Sequence, residues 1–303
     1  MQKMRSYVLP CAILLGLLFH KWCSMLSFLA PYLIFLILLL NFVAVDIRKL
    51  KVTKLNLWLL LFQTVVSIGM YYLIVGVCHN YLVAQGVLIG VLCPVASSVV
   101  VISCLLGANR ETVTEYTILC NLLISVIAPF YFTFIGVHHD LSFWASFLLI
   151  LKKIGPTIAL PFFVALFLQL FWKKANDFLS GFKNTTFYIW AFLLFLTLGQ
   201  TIDYIFIHGR GNGLNILWLG LASVVTCIIH FVVGRREGKR YGDVIAGGQM
   251  LGQKNTAMGI WMANTYLNPL ASVFLAFYSV WQNLFNSWQI WRHDRNQAVA
   301  SQQ

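Results

Sequence analysis

Two polar stretches inside otherwise apolar runs decide the fold of this chain: CPVASS at 93–98 and GGQMLGQKNT at 247–256. The first contains Pro94, which has no backbone N–H to donate within a helix. The second contains three glycines together with amide, hydroxyl and ammonium groups. Irregular polar backbone at membrane depth is tolerated only where protein or a wet cavity surrounds it. The two stretches therefore predict two interrupted membrane helices beside a polar site.

The composition around these stretches is that of a membrane protein. Of the 303 residues, 60% are apolar and 10% are charged, whereas about 25% of the residues in a soluble domain are charged. This excludes a water-soluble globular protein. About 20 apolar residues form one transmembrane helix, and we expect an all-α integral membrane protein with ten such helices. The apolar runs lie at 7–20, 26–45, 55–77, 81–107, 113–135, 155–172, 185–207, 213–233, 244–263 and 266–290.

Basic residues are concentrated in alternate connecting segments. The chain has 21 Lys and Arg, of which 16 lie on the side that carries both termini and two, Lys21 and Arg210, lie in loops on the other side. Because cytoplasmic loops are enriched in Lys and Arg, we predict that both termini are cytoplasmic in the inner membrane of a cell. The net charge of +12 thus reflects topology and does not indicate nucleic-acid binding. The predicted cytoplasmic segments are 1–6, 46–54, 108–112, 173–184, 234–243 and 291–303.

The ten predicted helices divide into two sets of five, at 1–135 and 141–290, followed by a cytoplasmic tail at 291–303. Since five is odd, the second set must be inserted upside down relative to the first. Such inverted repeats are common among secondary transporters. The fourth helix of each set carries a polar interruption, and we expect Pro94, Gly248 and Gly252 to break these helices where they cross near the middle of the membrane.

The sequence lacks the motifs typical of enzymes and metal centres. Its seven cysteines form no CxxC or CxxH, there is no HExxH, and the polar stretches contain no recognisable nucleophile–base pair. We therefore expect no enzymatic activity, no cofactor and no metal site. A passive channel would need a continuous polar stripe along several helices, which the sequence does not show.

At the two interruptions the sequence resembles the bile acid:sodium symporter family. The family signature C-P-G-G-T-A-S-N, closed later by G-N, is similar to CPVASSVV at 93–100 followed by Asn109. The signature E-V-G-M-Q-N-S-G-L is similar to MLGQKNTAM at 250–258, and Y-S-V-W-H-N is similar to YSVWQN at 278–283. The resemblance covers most of the chain and implies ten helices in inverted repeats, with the fourth and ninth broken, and transport by alternating access.

The resemblance also implies where ligands bind. The sodium ligands of the family are largely replaced, because its Ser-Asn pair falls on Val99 and Val100. Its Glu and Gln fall on Met250 and Lys254. Sodium needs oxygen ligands that these side chains lack, so we infer that the sodium sites are absent. The remaining polar groups near the cation site are Gln63, Thr117, Gln249 and Gln253, and the expected substrate-binding residues are Ser97, Ser98, Asn255, Thr256, Gln282 and Asn283.

Lys254 lies near the middle of the ninth predicted helix. An unpaired ammonium there costs at least about 2.5–3.5 kcal/mol on insertion scales. Four roles remain open: a fixed replacement for the missing sodium, a ligand of an anionic substrate, a proton carrier, or a side chain in a wet cavity without a function. The leading hypothesis is a sodium-independent secondary carrier of a small or amphipathic organic anion. A sodium- or proton-coupled symporter with a rearranged site and a passive channel are the alternatives.

Overall fold

The computed structural model describes residues 11–12, 14–46, 51–96, 98–135 and 142–300, and this part of the chain is helical almost throughout, without a β-sheet. The all-α prediction is therefore confirmed for it. Residues 11–12 and 14–18 are helical, and 3-10 turns lie at Ser27–Leu29, Gly181–Asn184 and Pro269–Ala271. The longer elements are α1 (His20–Met25), α2 (Ala30–Val43), α3 (Lys54–Cys78), α4 (Tyr81–Leu92), α5 (Val99–Leu105), α6 (Arg110–Ile135), α7 (Phe143–Ile158), α8 (Leu160–Phe171), α9 (Lys173–Ser180), α10 (Thr186–His208), α11 (Gly213–Arg240), α12 (Val244–Gly252), α13 (Thr256–Tyr266) and α14 (Ser272–Ala300).

Several of these helices are long and apolar enough to cross a membrane. Within the described ranges, four pass this test alone, and α7 with α8 makes a fifth if the pair, bent by 43°, forms one span. Shorter apolar helices lie at Ser27–Val43 and Tyr81–Leu92. The described chain is thus an all-α membrane protein, while ten crossings in two inverted sets remain a prediction. The four helices are Lys54–Cys78, Arg110–Ile135, Thr186–Ile207 and Gly213–Arg240.

The helix α3 shows how side chains are sorted in this fold. Leu57, Leu61 and Val65 are exposed and follow each other at intervals of four, so they share one face of the helix. Gln63 and Ser67 are fully buried on another face. The outward face of α3 is therefore apolar, while its buried face carries polar side chains beside apolar ones such as Leu59. Polar side chains turned to the interior are expected where lipid replaces water.

Glycines bring α11 and α12 into close contact. A Cβ atom added at Gly247 would overlap the carbonyl oxygen of Gly234 and lie 2.7 Å from the Cα of Gly238. Small residues allow two membrane helices to approach until their backbones touch. This contact positions α12, and with it the break that follows, against the long helix α11.

The second interruption is shorter than the sequence predicts. Gly248 and Gly252 lie inside α12, and only 253–255 separates this helix from α13. A Cβ added at Gly248 would press against the side-chain stem of Arg235, and one added at Gly252 would lie 2.6 Å from the ring of Phe231. These two glycines are therefore needed for packing against α11 and not for irregular backbone.

Candidate functional site

The two interrupted helices meet at their breaks. Residues 93–98 separate α4 from α5, and residues 253–255 separate α12 from α13. Within these segments Val95 and Lys254 form an isolated antiparallel β-bridge. The polar stretches that the sequence singles out, far apart along the chain, thus lie side by side. The break at Pro94 is where the sequence predicts it.

Backbone hydrogen bonds join the two breaks directly. The N–H of Asn255 donates to the carbonyl of Pro94 at 2.8 Å, and the N–H of Ala96 donates to the carbonyl of Gln253 at 3.2 Å. Ending a helix leaves backbone donors and acceptors without helical partners, and such groups are costly when buried. Each break therefore supplies partners that the other break needs.

The ammonium of Lys254 lies at the C-terminal end of α4. Its Nζ donates to the carbonyl of Val91 at 2.9 Å and to Oε1 of Gln63 at 3.0 Å. Val91 is in the last turn of α4, where carbonyl groups carry a partial negative charge. Lys254 is only 1% exposed. A cation anchored on one interrupted helix thus caps the end of the other.

Gln63 connects this ammonium to three helices. Its Nε2 donates to the carbonyl of Leu92 at 3.1 Å, and its Oε1 accepts a hydrogen bond from the hydroxyl of Tyr116 at 3.2 Å. Gln63 itself is on α3, Leu92 ends α4, and Tyr116 is on α6. The sequence assigned Gln63 to the cation site, and the structure places it against the ammonium of Lys254.

Gln282 holds the backbone of Lys254. Its Oε1 accepts from the Lys254 N–H at 2.8 Å, and its Nε2 donates to the Lys254 carbonyl at 3.2 Å. The side chain of Asn255 caps α13, since its Oδ1 accepts from the N–H of Met258 at 3.3 Å. Two residues expected to bind substrate therefore also support the break.

A row of amide side chains runs from the second break to α14. Nε2 of Gln253 donates to Oε1 of Gln249, and Nε2 of Gln249 donates to Oε1 of Gln289 at 3.0 Å. Gln249 and Gln253 were expected near the cation site. Their amides bond each other and Gln289, while the Lys254 ammonium bonds Gln63 and Val91. These hydrogen bonds therefore hold the end of α12, just before the break, against α14.

A cavity of about 370 Å³ lies beside the breaks. Its charged lining residues are Arg110 and Lys254, and no carboxylate lines it among the described residues. Phe42, Phe187 and Trp190 supply an aromatic part of the wall. Ser97 lies outside the described residues. The predicted site residues that do line the cavity are Ser98, Thr117, Gln253, Lys254, Asn255, Thr256, Gln282 and Asn283.

Two of these lining residues bond to their own helices. The hydroxyl of Thr117 donates to the carbonyl of Val113 at 2.8 Å, and Nδ2 of Asn283 donates to the carbonyl of Ser279 at 2.7 Å. Their remaining acceptor oxygens are available to a ligand, because a hydroxyl and a carboxamide each keep lone pairs after donating.

Six polar residues that line the cavity were not among those predicted from the sequence: Asn41, Arg110, Thr114, Thr186, Ser279 and Asn286. Nδ2 of Asn41 and Oδ1 of Asn286 are buried without a hydrogen-bond partner in the described part of the chain. For the two asparagines the sequence does contain a signal. Each lies inside an apolar run, and polar residues within membrane helices mark functional sites. Unpaired buried amide atoms that border a cavity are suited to bind a polar ligand.

No known family model matches the chain, and no curated protein matches it. Among the described residues, no group of three His, Cys, Asp or Glu side chains is arranged to hold a metal ion. The site therefore consists of an ammonium, a guanidinium, carboxamides and hydroxyls around an aromatic-walled cavity. The chemistry of these groups is suited to hydrogen-bonding and orienting a polar ligand.

Proposed function

We propose that this protein is a secondary carrier for a small or amphipathic organic anion and that it works without a bound sodium ion. One observation carries the proposal: the Lys254 ammonium donates to Val91 at the C-terminal end of α4. In carriers with broken helices, half-helix C-terminal ends and unwound carbonyls coordinate the coupling cation. A tethered ammonium at such an end supplies the positive charge that a free ion would otherwise bring.

The lining of the cavity supports an anionic substrate. Arg110 and Lys254 provide positive charge without a neighbouring carboxylate on the described lining. Asn255 and Thr256 lie at the N-terminus of α13, where the helix dipole favours a negative group. The volume of about 370 Å³ is within the range of small-molecule sites. The aromatic wall suits the apolar part of an amphipathic anion.

The proposed architecture is the ten-helix inverted repeat to which the resemblance to the bile acid:sodium symporter family points. In this arrangement 1–135 and 141–290 are the two repeats, and α4–α5 and α12–α13 are their equivalent broken helices. Val45, Arg110 and Thr186 line the cavity and border basic segments. With those segments in the cytoplasm, the cavity opens inward. Transport then requires one helix bundle to move against the other about the crossing point.

Among the roles considered for Lys254, a fixed replacement for the cation fits the geometry best. Its Nζ is engaged by Gln63 and Val91, and the side chain is 1% exposed. The side chain of Lys254 lines the cavity, but its two hydrogen bonds direct the ammonium toward the end of α4. A proton carrier would have to release a proton while both acceptors stabilise the charged form of the amine. Both hydrogen bonds therefore favour a fixed charge over a substrate ligand or a proton carrier.

Thermal unfolding of the purified protein tests the proposal. Cholate and phenylacetate are added in sodium and in potassium buffer of equal ionic strength, with their neutral amides as controls. We expect at least one carboxylate to raise Tm saturably and equally in both salts, because a ligand that binds only the native state stabilises it. A shift that requires sodium would contradict sodium independence, and equal shifts with the amides would contradict anion recognition.

Arg110 allows the anion site to be tested separately. Arg110→Gln should weaken binding of the carboxylate by about tenfold, or ~1.4 kcal/mol, because a charge-assisted contact is lost. Arg210→Gln removes the same charge from an exposed position outside the cavity and should leave the affinity unchanged. Equal affinities for both variants would place the anion elsewhere.

A further inference from the structure

A second cavity, of about 460 Å³, lies at the ends of α11 and α14 that carry basic segments. The rings of Phe231 and Phe285 stack within it, with centroids 4.7 Å apart. Arg235 follows Phe231 by four residues and Arg292 follows Phe285 by seven. Each helix therefore presents an aromatic ring and, one or two turns further on, a guanidinium on the same face. We call this cavity the arginine groove.

The arginine groove offers several groups to an anion. Arg235 and Arg292 line it, and among the described residues no carboxylate does. The guanidinium of Arg292 lies 5.5 Å from the ring centroid of Trp288, which fixes its place through a cation–π contact. Two guanidinium groups that line one cavity, without a carboxylate on its described lining, are suited to bind a phosphate.

Gln289 adds an unsatisfied donor to the same groove. It lines the groove and is 7% exposed, and its Oε1 accepts from Nε2 of Gln249. Its Nε2 is buried and has no hydrogen-bond partner in the described part of the chain. Leaving a buried donor unpaired is costly, so this atom is suited to an acceptor from outside the protein.

We propose that the arginine groove binds the phosphate headgroup of an anionic phospholipid. A lipid fits better than a free phosphate because the charged end adjoins apolar surface that faces outward: Val232 and Trp288 line the groove and are 57% and 47% exposed. The segments 234–243 and 291–303, at the same ends of the helices, are predicted to be cytoplasmic. The cytoplasmic leaflet carries anionic lipids that attract basic segments.

Thermal unfolding of the full-length protein in a zwitterionic detergent tests the lipid site. Dioleoyl phosphatidylglycerol, dioleoyl phosphatidylcholine and inorganic phosphate are titrated separately. We expect phosphatidylglycerol alone to raise Tm saturably. An equal shift with phosphatidylcholine would mean that the headgroup is not recognised, and an equal shift with inorganic phosphate would mean a free-anion site. No shift with phosphatidylglycerol would also overturn the proposal.

Matched variants locate the binding. Arg235→Gln with Arg292→Gln should weaken the response to phosphatidylglycerol by at least about tenfold, since two charge-assisted contacts are removed. Arg236→Gln with Arg295→Gln removes the same charge from the same two helices, at positions outside the groove, and should respond like the parent. Equal responses of both double variants would place the lipid elsewhere.

A third variant keeps the test valid if the groove variant does not fold. Val232→Trp adds bulk at an exposed position of the groove and leaves both arginines in place. It should lose the phosphatidylglycerol response while it keeps the Tm of the parent in detergent alone. Native mass spectrometry should then find less phosphatidylglycerol on this variant than on the parent. Retention of the same amount would contradict binding in the groove.

Discussion

Lys254 links the two interrupted helices through both its side chain and its backbone. Its Nζ bonds Val91 and Gln63, while its peptide N–H and carbonyl both bond Gln282. A buried charge is tolerated only when such partners replace water. The ammonium therefore links the two breaks, and among the described residues it is the one charged group that hydrogen-bonds the C-terminal end of α4.

Replacing this ammonium by a neutral amide should create a site for an external cation. We expect Lys254→Gln to lower the free energy of unfolding by about 1–3 kcal/mol in potassium buffer, because buried acceptors lose their donor. Sodium should restore part of this loss and should have no effect on the parent. Thermal unfolding in the two salts measures both quantities. Lys239→Gln, at an exposed position of α11, is the control and should match the parent.

Transport by the same Lys254→Gln variant distinguishes the remaining roles. Loss of uptake driven by a pH gradient, with binding and exchange retained, would identify a proton carrier and contradict a fixed charge. Weaker substrate binding without a stability change would identify a ligand of the substrate. A variant equal to the parent in stability, affinity and transport would show that the ammonium has no role in the site.

At the scale of elements, the contact between α11 and α12 determines where the second break lies. Gly234, Gly238 and Gly247 bring the two backbones together. The break at 253–255 follows α12 directly, so any displacement of this helix moves the residues that bond Pro94 and Ala96. The packing of these glycines therefore sets the position of the break and of the site beside it.

A methyl group at this contact should therefore be destabilising. Gly247→Ala would place a Cβ against the carbonyl oxygen of Gly234. Because this oxygen belongs to the backbone, the overlap can be relieved only if one of the two helices moves. We expect the free energy of unfolding to fall by about 1–3 kcal/mol, as in other overpacked interiors. In the control Gly69→Ala, the added Cβ meets no atom within 4 Å, and Tm should stay equal or rise slightly. Equal effects of the two substitutions would contradict the close contact.

At the scale of the whole molecule, polar groups are buried among an apolar core, and many large apolar side chains lie on the outside. Gln63, Asn121 and Gln249 are buried, whereas Leu61, Val65 and similar side chains are exposed. Burial of apolar surface from water cannot by itself hold helices together in lipid, so hydrogen bonds and close packing do so. The basic segments then decide how this bundle is oriented in the membrane.

The orientation has a direct test with single cysteines, introduced after the exposed native cysteines are replaced by serine. An impermeant maleimide should label Arg210→Cys in intact cells. It should label Lys51→Cys and Arg236→Cys only after the membrane is permeabilised, because the positive-inside rule places both in the cytoplasm. Labelling of Lys51→Cys and Arg236→Cys from opposite sides of the membrane would contradict the ten-helix topology.

Local physical rules were enough to predict the class of the protein and the location of its breaks. Apolar runs can cover their backbone in lipid only by forming helices. Pro94 lacks the N–H that a continuous helix needs, and the adjacent pair of serines that follows it distinguishes this break from Pro129 and Pro156, which lie inside helices. Lys254 could be singled out in the same way, since a charge inside an apolar run needs a partner or a function. None of these inferences requires knowledge of which helices are neighbours.

The partners of these groups were decided only by the tertiary structure. Gln63 is 191 positions from Lys254 along the chain, and no local pattern brings the two together. Gly248 and Gly252 were wrongly predicted to break a helix. A glycine that makes the backbone flexible and a glycine that lets a neighbouring helix approach look alike in sequence. Asn41 and Asn286 were missed for a similar reason. The sequence shows that both lie inside apolar runs, but which face of a helix meets a cavity depends on how all the helices pack.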